Sequence, residues 1–342
     1  CAEGSARART VSIGGVEAED FSSLRVAIVG ARRARFGTGP FLARQAAKLG
    51  AQVVAVGSTR PESARLAAEE LAAAGMRVTP FTEAEDLFAE AAPDVALIAS
   101  PAETHRPWLR AALDAGVHVL CEKPLGAGNA SETQGLAQEF AAAGLVLAEN
   151  CQWPYVLPAF QLLHPGFQLG AARTFRMLMA PPQRGRERWS EVLSHPLSLL
   201  QAVRPGPAEI SAIRFAEQHA EAADARLDFV FTTHASALKC EVMAEDLGRS
   251  PRPAEFAFDE ALCRRRVTAK DYRMRFESEV PAPGKRAPAV DIGDPMETCL
   301  REFFVRVRRA RAKREAPLDE GLVRRQALLE VLLDAWRSQQ RS

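Results

Sequence analysis

The sequence predicts an α/β fold: an N-terminal domain with a doubly wound parallel sheet, followed by an α+β domain with a mostly antiparallel open sheet. Over residues 24–150, short apolar runs alternate with helix-like segments, which is the pattern of parallel strands joined by crossover helices. After residue 150, strand-like runs follow one another without helices between them, and such neighbours are expected to pair in antiparallel fashion. Residues 1–23 are polar and are predicted to form a flexible tail, so the two domains are predicted at 24–150 and 151–342.

The composition is that of a soluble globular protein. The 342 residues are 47% apolar and 25% charged, and 44 basic residues oppose 43 acidic ones, for a net charge of +1. This balance argues against a nucleic-acid partner, and the lack of a run of 18 apolar residues argues against a membrane span. The six cysteines are scattered and include no CxxC pair, which favours a reducing cytoplasm and predicts no metal site.

The first domain opens with a βαβ unit. The apolar strand Leu24–Gly30 ends in glycine, a helix is predicted from Pro40 to Gly50, and the strand Gln52–Gly57 follows directly. Proline in the first turn of a helix and glycine at its end fit this assignment. A glycine-rich crossover that leads into a helix N-terminus is typical of sites for nucleotide phosphates, so this unit indicates a dinucleotide-binding domain.

The loop of this unit departs from the G-x-G-x-x-G pattern, because Arg32 occupies the place of the second glycine. Gly30, Gly37 and Gly39 are candidates for close backbone approach to a pyrophosphate, and Arg32 is a candidate for neutralising its charge. The alternative is an extended surface loop in which the glycines only permit turns.

The residues after the second strand favour NADP(H) over NAD(H), which stays possible. An Asp or Glu at this point would bind the ribose 2′-hydroxyl of NAD, but the chain has Ser58, Thr59 and Arg60. A guanidinium binds a 2′-phosphate through charge-assisted hydrogen bonds, whereas a carboxylate repels it. The alternative is that Ser58 and Arg60 only cap the next helix.

The alternation continues as far as residue 150. Strands are predicted at Met76–Phe81, at Asp94–Ala99, around Val117–Val119 and at Leu145–Glu149, with helices at Glu62–Ala74, Thr82–Ala91, His105–Ala115 and Ala130–Ala143.

One stretch carries a candidate for catalysis. Glu122-Lys123-Pro124 follows the strand around Val117–Val119, and open α/β sheets bind their ligands at the carboxyl ends of strands. Proline fixes the backbone beside the lysine. We therefore consider Lys123 a catalytic or phosphate-binding residue, with a surface salt bridge of Glu122 as the alternative interpretation.

The second domain is predicted to contain mainly strands, with two helices closing the chain. The strands are predicted at Thr174–Ala180, Glu209–Glu217, Leu227–His234, Ser236–Ala244, Ala254–Phe258, Leu262–Val267 and Tyr272–Val280, and the helices near Pro158–Leu163, near Pro196–Val203, at Thr298–Arg309 and at Leu318–Trp336.

These features together resemble the glucose–fructose oxidoreductase / inositol dehydrogenase family, known as Gfo/Idh/MocA. The resemblance rests on the N-terminal βαβ unit, on the change of pattern near residue 150, on Ser100-Pro101 with His105, and on the stretch Ala115-Gly116-Val117-His118-Val119-Leu120-Cys121-Glu122-Lys123-Pro124-Leu125. It implies a Rossmann domain in which Lys123 lies beside the nicotinamide and the substrate hydroxyl. It also makes Ser100, Pro101, His105 and Glu122 candidates for cofactor binding, although His105 is equally well interpreted as an ordinary histidine at a helix start.

The same family carries an Asp and a His four residues apart early in its second domain, and the match here is Glu191 and His195. The resemblance implies that His195 transfers the proton and that Glu191 orients it, although Glu191 is one methylene longer than the family's Asp. Because Pro196 disfavours a helical backbone at His195, a helix is expected to begin near Ser194, with Glu191 in the preceding loop. The family's further Asp is Ser198 in this chain.

The resulting hypothesis is an NAD(P)-dependent oxidoreductase acting on a carbinol or carbonyl carbon of a sugar, cyclitol or related small molecule. The alternative is a non-catalytic NADP-binding regulator or sensor on the same fold. The open sheet of the second domain would leave a large face uncovered, so a homo-oligomer, either a dimer or a tetramer, is expected.

Overall fold

The computed structural model describes residues 9–10, 19–31, 38–126, 129–216, 222–246, 252–267, 274–279 and 288–341. The chain forms two compact units. The Rossmann unit comprises Val16–Cys151 and Met296–Ala327, and the mixed-sheet unit comprises Cys1–Gly15, Gln152–Pro295 and Leu328–Ser342. Within the described residues, no helix is long and apolar enough to cross a membrane.

The strands and helices are numbered here in chain order. The strands are β1 (Arg9–Thr10), β2 (Arg25–Val29), β3 (Gln52–Gly57), β4 (Thr79–Phe81), β5 (Val95–Ile98), β6 (His118–Cys121), β7 (Leu147–Glu149), β8 (Thr174–Met179), β9 (Ala208–Ala216), β10 (Asp224–Thr233), β11 (Ala237–Glu245), β12 (Ala254–Phe258), β13 (Ala261–Val267), β14 (Met274–Glu277) and β15 (Ala289–Asp291). The helices are α1 (Thr38–Lys48), α2 (Pro61–Ala73), α3 (Ala84–Ala91), α4 (His105–Asp114), α5 (Ala130–Ala142), α6 (Leu157–Leu163), α7 (Gly185–Val192), α8 (Ser194–Val203), α9 (Pro295–Lys313) and α10 (Glu320–Gln339).

The Rossmann unit contains a six-stranded sheet in the order β4-β3-β2-β5-β6-β7. Every neighbouring pair in it is parallel. The strand order reverses between β2 and β5, and in such sheets ligands bind at the carboxyl ends of the strands beside this switch point. The predicted doubly wound parallel sheet is therefore confirmed.

Residues 296–327 group with this sheet, although the sequence analysis assigned them to the second domain. Leu300, Phe304 and Val307 of α9 are buried in the same apolar cluster as Val26 and Ile28 of β2. The amphipathic pattern predicted the helix correctly, but it could not show which domain the apolar face would cover.

Part of the predicted tail is also ordered against this core. Phe21 is 0% exposed, and its ring lies 5.4 Å from that of Phe304, centroid to centroid. Arg9 and Thr10 form a short strand, β1, in the mixed-sheet unit. The prediction of a loose tail thus fails at these residues, because single apolar side chains and two-residue strands leave no periodic signal.

The mixed-sheet unit contains a nine-stranded sheet in the order β1-β15-β14-β13-β12-β8-β11-β10-β9. Most pairs are antiparallel, which confirms the predicted mostly antiparallel sheet, but β8 pairs with β11 in parallel, as β1 does with β15. The expected mostly antiparallel sheet did not specify which strands would pair in parallel. Helices α7 and α8 follow β8, and the meander β9-β10-β11 then returns β11 to the side of β8 in the same direction.

One face of this sheet forms the core of its unit. Alternate residues such as Phe229, Phe231 and Val242 are fully buried, whereas Val230 and Met243 between them are half-buried. This alternation is that of a sheet with one covered face.

Candidate active site

Two glycines bring the start of α1 against the end of β2. Gly30 has φ +88°, and a Cβ added to it would lie 2.5 Å from the backbone nitrogen of Ser100. A Cβ added to Gly39, in the first turn of α1, would lie 2.5 Å from the carbonyl oxygen of Gly30. Both positions therefore require glycine, and the amino end of α1 lies at the switch point of the sheet, where a phosphate would accept hydrogen bonds. The candidates Arg32 and Gly37 lie outside the described residues.

The end of β3 presents accessible polar groups. The Ser58 backbone amide donates to the carbonyl of Phe81 at 3.1 Å, its side chain is half-buried, and Thr59 and Arg60 are exposed. Arg60 is the N-cap residue of α2, but its side chain makes no capping hydrogen bond. The interpretation of Arg60 as a helix cap is therefore not supported.

The Glu-Lys-Pro loop begins where β6 ends. The amide of Glu122 donates to the carbonyl of Ile98 at 2.7 Å, and the amide of Asn150 donates to the carbonyl of Cys121 at 2.7 Å. The Asn150 side-chain amide donates to Glu122 Oε1 at 2.5 Å. Lys123 is half-buried, and the Lys123-Pro124 bond is cis. The backbone and the glutamate of this loop are therefore fixed at the carboxyl edge of the sheet.

Glu149, the last residue of β7, holds the far side of the same loop. Its side chain is 0% exposed, and its carboxylate accepts hydrogen bonds from Leu125 N at 3.2 Å, Arg325 Nε at 2.6 Å and Gln326 Nε2 at 2.7 Å. Burial raises the pKa of the Cys151 thiol, so this group stays protonated and donates to Glu149 at 3.3 Å.

The sequence analysis missed the role of Glu149. Its only signal was a carboxylate at the end of an apolar strand, and its partners Arg325 and Gln326 lie more than 170 positions away in the chain.

The His105 side chain is buried beside the Glu-Lys-Pro loop and does not present its ring to solvent. It is 1% exposed, and its Nε2 lies 2.8 Å from the carbonyl oxygen of Ser100. Burial lowers the pKa of His105, an effect partly offset by the carbonyls of Ser100 and Pro124. This burial favours the structural interpretation over the predicted cofactor contact. Ser100 is half-buried and Pro101 exposed at the end of β5, as a role near the cofactor requires.

In the mixed-sheet unit, Glu191 lies in helix α7 and His195 in the first turn of α8. The helix expected to begin near Ser194 is therefore confirmed, whereas the loop expected at Glu191 was wrong. Pro196 is accommodated because the amide that proline lacks has no partner within the first turn of a helix. Both side chains are half-buried.

The surroundings of His195 fix its ring. The ring meets that of Trp153 edge to face with centroids 6.3 Å apart, and Trp153 is 2% exposed in the core of the unit. Trp153 is therefore a core residue that supports His195. The hydroxyl of Ser198 donates to the carbonyl of His195 at 2.8 Å, so the residue in place of the family's Asp bonds to its own helix.

Two arginines ahead of Glu191 serve the fold. Arg184 forms an ion pair with Asp246 at 2.6 Å. Arg188 is 0% exposed, and its guanidinium donates to backbone carbonyls that include those of Ala222 and Ala223. These two side chains are therefore committed to structural partners rather than to a substrate anion.

The described residues include potential metal ligands and several cysteines. Among the described residues, no group of three or more His, Cys, Asp or Glu side chains is arranged to hold a metal ion. The cysteines in this part of the chain are buried, and none of them forms a disulfide bond: Cys121, Cys151, Cys240, Cys263 and Cys299.

The residues at the carboxyl edge of the Rossmann sheet fit a dinucleotide. A helix N-terminus lies against the end of β2, hydroxyl and guanidinium groups lie at the end of β3, and a lysine lies after β6. The buried Oδ1 of Asn150 has no hydrogen-bond partner within the described part of the chain and is an available acceptor at this edge.

Comparison with known proteins agrees with this geometry. Residues 24–151 match the model of the family described as an oxidoreductase family with an NAD-binding Rossmann fold, GFO_IDH_MocA. Over these residues the chain is similar to the Gfo/Idh/MocA family. The resemblance to this family that the sequence indicated is thereby confirmed.

Named relatives align with short parts of this chain. An inositol 2-dehydrogenase from Corynebacterium glutamicum is 45% identical over 76 residues, which cover 22% of this chain and 21% of that protein. The dTDP-3,4-didehydro-2,6-dideoxy-alpha-D-glucose 3-reductase of Streptomyces violaceoruber is 41% identical over 97 residues, or 28% of this chain and 26% of that protein. The chain thus aligns with only about a quarter of the length of these relatives.

Solved structures of similar fold cover both units. The UDP-N-acetylglucosamine 3-dehydrogenase GnnA from Acidithiobacillus ferrooxidans gives a TM-score of 0.62 at 23% identity, over 92% of this chain and 98% of that one. A mutant of KijD10, a 3-ketoreductase from Actinomadura kijaniata, in complex with TDP-benzene and NADP, gives 0.66 at 20% identity, over 92% and 97%. These likenesses show that the chain shares the fold of these two proteins over 92% of its length.

Proposed function

We propose that this protein is an NADP(H)-dependent oxidoreductase that transfers a hydride between nicotinamide and a carbinol or carbonyl carbon of a sugar, cyclitol or related small molecule. The observation that carries the proposal is Lys123, which follows β6 at the carboxyl edge of a Gfo/Idh/MocA sheet, in a loop held by Asn150 and Glu149. Binding a nucleotide alone requires no lysine anchored in this way.

We assign the cofactor to the Rossmann unit. Gly30 and Gly39 would admit its pyrophosphate at the start of α1, and Ser58, Thr59 and Arg60 would bind a 2′-phosphate. The matched family is described as NAD-binding, and KijD10 was solved with NADP, so NAD(H) is the competing cofactor. When bound, the nicotinamide supplies or accepts the hydride.

We assign the proton chemistry to three side chains. The Lys123 ammonium would donate a hydrogen bond to the reacting oxygen and stabilise negative charge that develops on it. His195 would take the hydroxyl proton during oxidation and return it during reduction, because an imidazole titrates near neutral pH. Glu191, one helix earlier, would orient the imidazole.

The substrate class is inferred from relatives. The names of the inositol dehydrogenase and of the dTDP-sugar reductase both specify polyhydroxylated rings. We propose a small molecule of this class as the partner of the protein, in a reducing cytoplasm. We also propose a homo-oligomer, dimer or tetramer, formed through the half-covered face of the mixed sheet, on which Val230 and Met243 lie.

The test is a titration of the wild type and the Lys123→Ala variant with NADPH and NADH, followed by turnover assays on a panel of sugars and cyclitols. We expect NADPH to bind both proteins with affinities within about threefold, and turnover of the variant to fall by about 10²- to 10⁴-fold. Lys48→Ala, which removes an exposed lysine paired with Glu297, is the matched control and should turn over like the wild type.

The outcomes separate the two hypotheses. A wild type that binds NADPH but turns over no substrate of the panel, with Lys123→Ala equally silent, would favour the non-catalytic sensor. Failure to bind either nucleotide would remove the oxidoreductase proposal altogether.

A further inference from the structure

The mixed-sheet unit contains a cavity, lined in part by basic side chains, that shares no residue with the candidate active site. Its volume is about 480 Å³. It lies where the turn Leu169–Ala171, the end of α8 and the β10–β11 hairpin meet, and it is lined by residues that include Arg173, Arg204, Ser236 and Lys239.

The inner wall of the cavity carries a buried guanidinium with unused donors. Arg204 is 6% exposed, and its Nη2 donates to the carbonyl of Ala172 at 2.5 Å. Its Nε and Nη1 atoms are buried and have no hydrogen-bond partner within the described ranges. An arginine stays charged in proteins, and a buried charge with unmade hydrogen bonds is unfavourable. An oxygen atom of an anion in the cavity would provide an acceptor for such a donor.

The outer wall adds two exposed cations. The amide of Lys239 donates to the carbonyl of Arg173 at 3.0 Å, which keeps the two residues adjacent. Neither side chain forms an ion pair within the part of the chain that the structure describes. The nearby carboxylate of Asp259 is bonded to the backbone amides of Arg173 and Thr174 at 3.0 and 2.9 Å. Three positive side chains therefore line the cavity, and the carboxylate of Asp259 beside Arg173 offsets one of these charges.

We propose that this cavity binds the phosphate group of a small metabolite. The charge excess of two matches a phosphate group, which carries about −1.5 to −2 at neutral pH. The guanidinium of Arg204 can donate charge-assisted hydrogen bonds to the oxygens of such a group. The cavity volume lies within the range of small-molecule sites, about 300–1,000 Å³, so there is room for more than the phosphate.

The test is calorimetric titration of the full-length protein with inorganic phosphate and with glycerol 3-phosphate, at an ionic strength held constant with chloride. We expect both to bind, and the exposed double variant Arg173→Gln/Lys239→Gln to weaken binding at least about tenfold. Arg226→Gln is the matched control. It removes an arginine of the same sheet that already pairs with Asp228 and Glu241, and its affinity should stay within about twofold of the wild type.

Each outcome bears on the proposal. No binding beyond the chloride control, an unchanged double variant or an equal loss in Arg226→Gln would each overturn it. Binding of inorganic phosphate without the monoester would overturn the assignment to a metabolite. Since the readout uses neither NADPH nor turnover, failure here leaves the oxidoreductase proposal intact.

Discussion

The buried carboxylate of Glu149 accepts a hydrogen bond from the backbone amide of Leu125, two residues beyond Lys123, at 3.2 Å. Arg325 and Gln326 hold the same carboxylate at 2.6 and 2.7 Å. The start of α10 is thereby connected through one side chain to the loop that carries the candidate catalytic lysine.

Glu149→Gln is expected to destabilise the protein by about 3–5 kcal/mol, because Arg325 would keep a buried charge without its counterion. Urea unfolding followed by circular dichroism measures this loss. Glu139→Gln is the matched control, since Glu139 pairs with Arg110 and both side chains are about half exposed. The control should leave the urea midpoint almost unchanged. A loss below about 1 kcal/mol in Glu149→Gln would contradict the assigned role.

Gly39→Ala is expected to weaken NADPH binding by at least about tenfold and to destabilise the fold by about 1–3 kcal/mol. The added Cβ would lie 2.5 Å from the carbonyl oxygen of Gly30, a backbone atom that cannot rotate away. Gly135→Ala provides the control, because a Cβ in that part of α5 meets nothing within 4 Å. It should stabilise the helix by about 0.5–1 kcal/mol. Equal effects of the two substitutions would show that the contact between α1 and β2 determines neither the affinity for NADPH nor the stability of the fold.

The sequence predicted the strands and helices of the Rossmann unit because each is a local pattern of the chain. The apolar run that forms β2 and the glycine that ends it are neighbours, and so are the strand β6 and Lys123. Such features depend on local chemistry alone.

What the sequence did not predict depends on residues that are distant in the chain. The pair Glu149 and Arg325, the parallel pairing of β8 with β11 and the packing of Phe304 on Phe21 each join segments more than 60 positions apart. Glu191 was misplaced for a different reason. Because of Pro196, a single helix was expected to begin near Ser194, whereas a separate helix, α7, contains Glu191 and ends at Val192 before α8 begins at Ser194.

Arg60→Ala is expected to raise the dissociation constant of NADPH by about 10- to 100-fold and to leave that of NADH within about twofold. A charge-assisted hydrogen bond contributes about 1.5–3 kcal/mol, and only NADPH carries the 2′-phosphate. Fluorescence titration with both nucleotides measures the two constants. Arg65→Ala, in the same helix, removes an exposed arginine that pairs with Glu69, and it should alter neither constant. An equal loss for both nucleotides in Arg60→Ala would show that Arg60 does not distinguish them.

His118 is a buried histidine whose Nδ1 accepts a hydrogen bond from the amide of Val146 at 2.9 Å. Burial, helped by the charge of Arg311, lowers the pKa of His118 to about 4. In the unfolded chain the pKa of a histidine is about 6.5. Between these two pKa values the unfolded state binds a proton that the folded state does not. The contribution of His118 to the free energy of unfolding therefore falls as the pH falls through this window and is constant above it.

His118→Asn, which keeps an acceptor for Val146, is expected to lose less stability between pH 7 and pH 5 than the wild type does. The difference should be roughly 1–2 kcal/mol, measured by urea unfolding at both pH values so that the carboxylates common to the two proteins cancel. His234→Asn, which removes an exposed histidine after β10, is the matched control and should follow the wild-type pH dependence. If the free energy of unfolding changed equally with pH in His118→Asn and in the wild type, His118 would be protonated as readily in the folded chain as in the unfolded one.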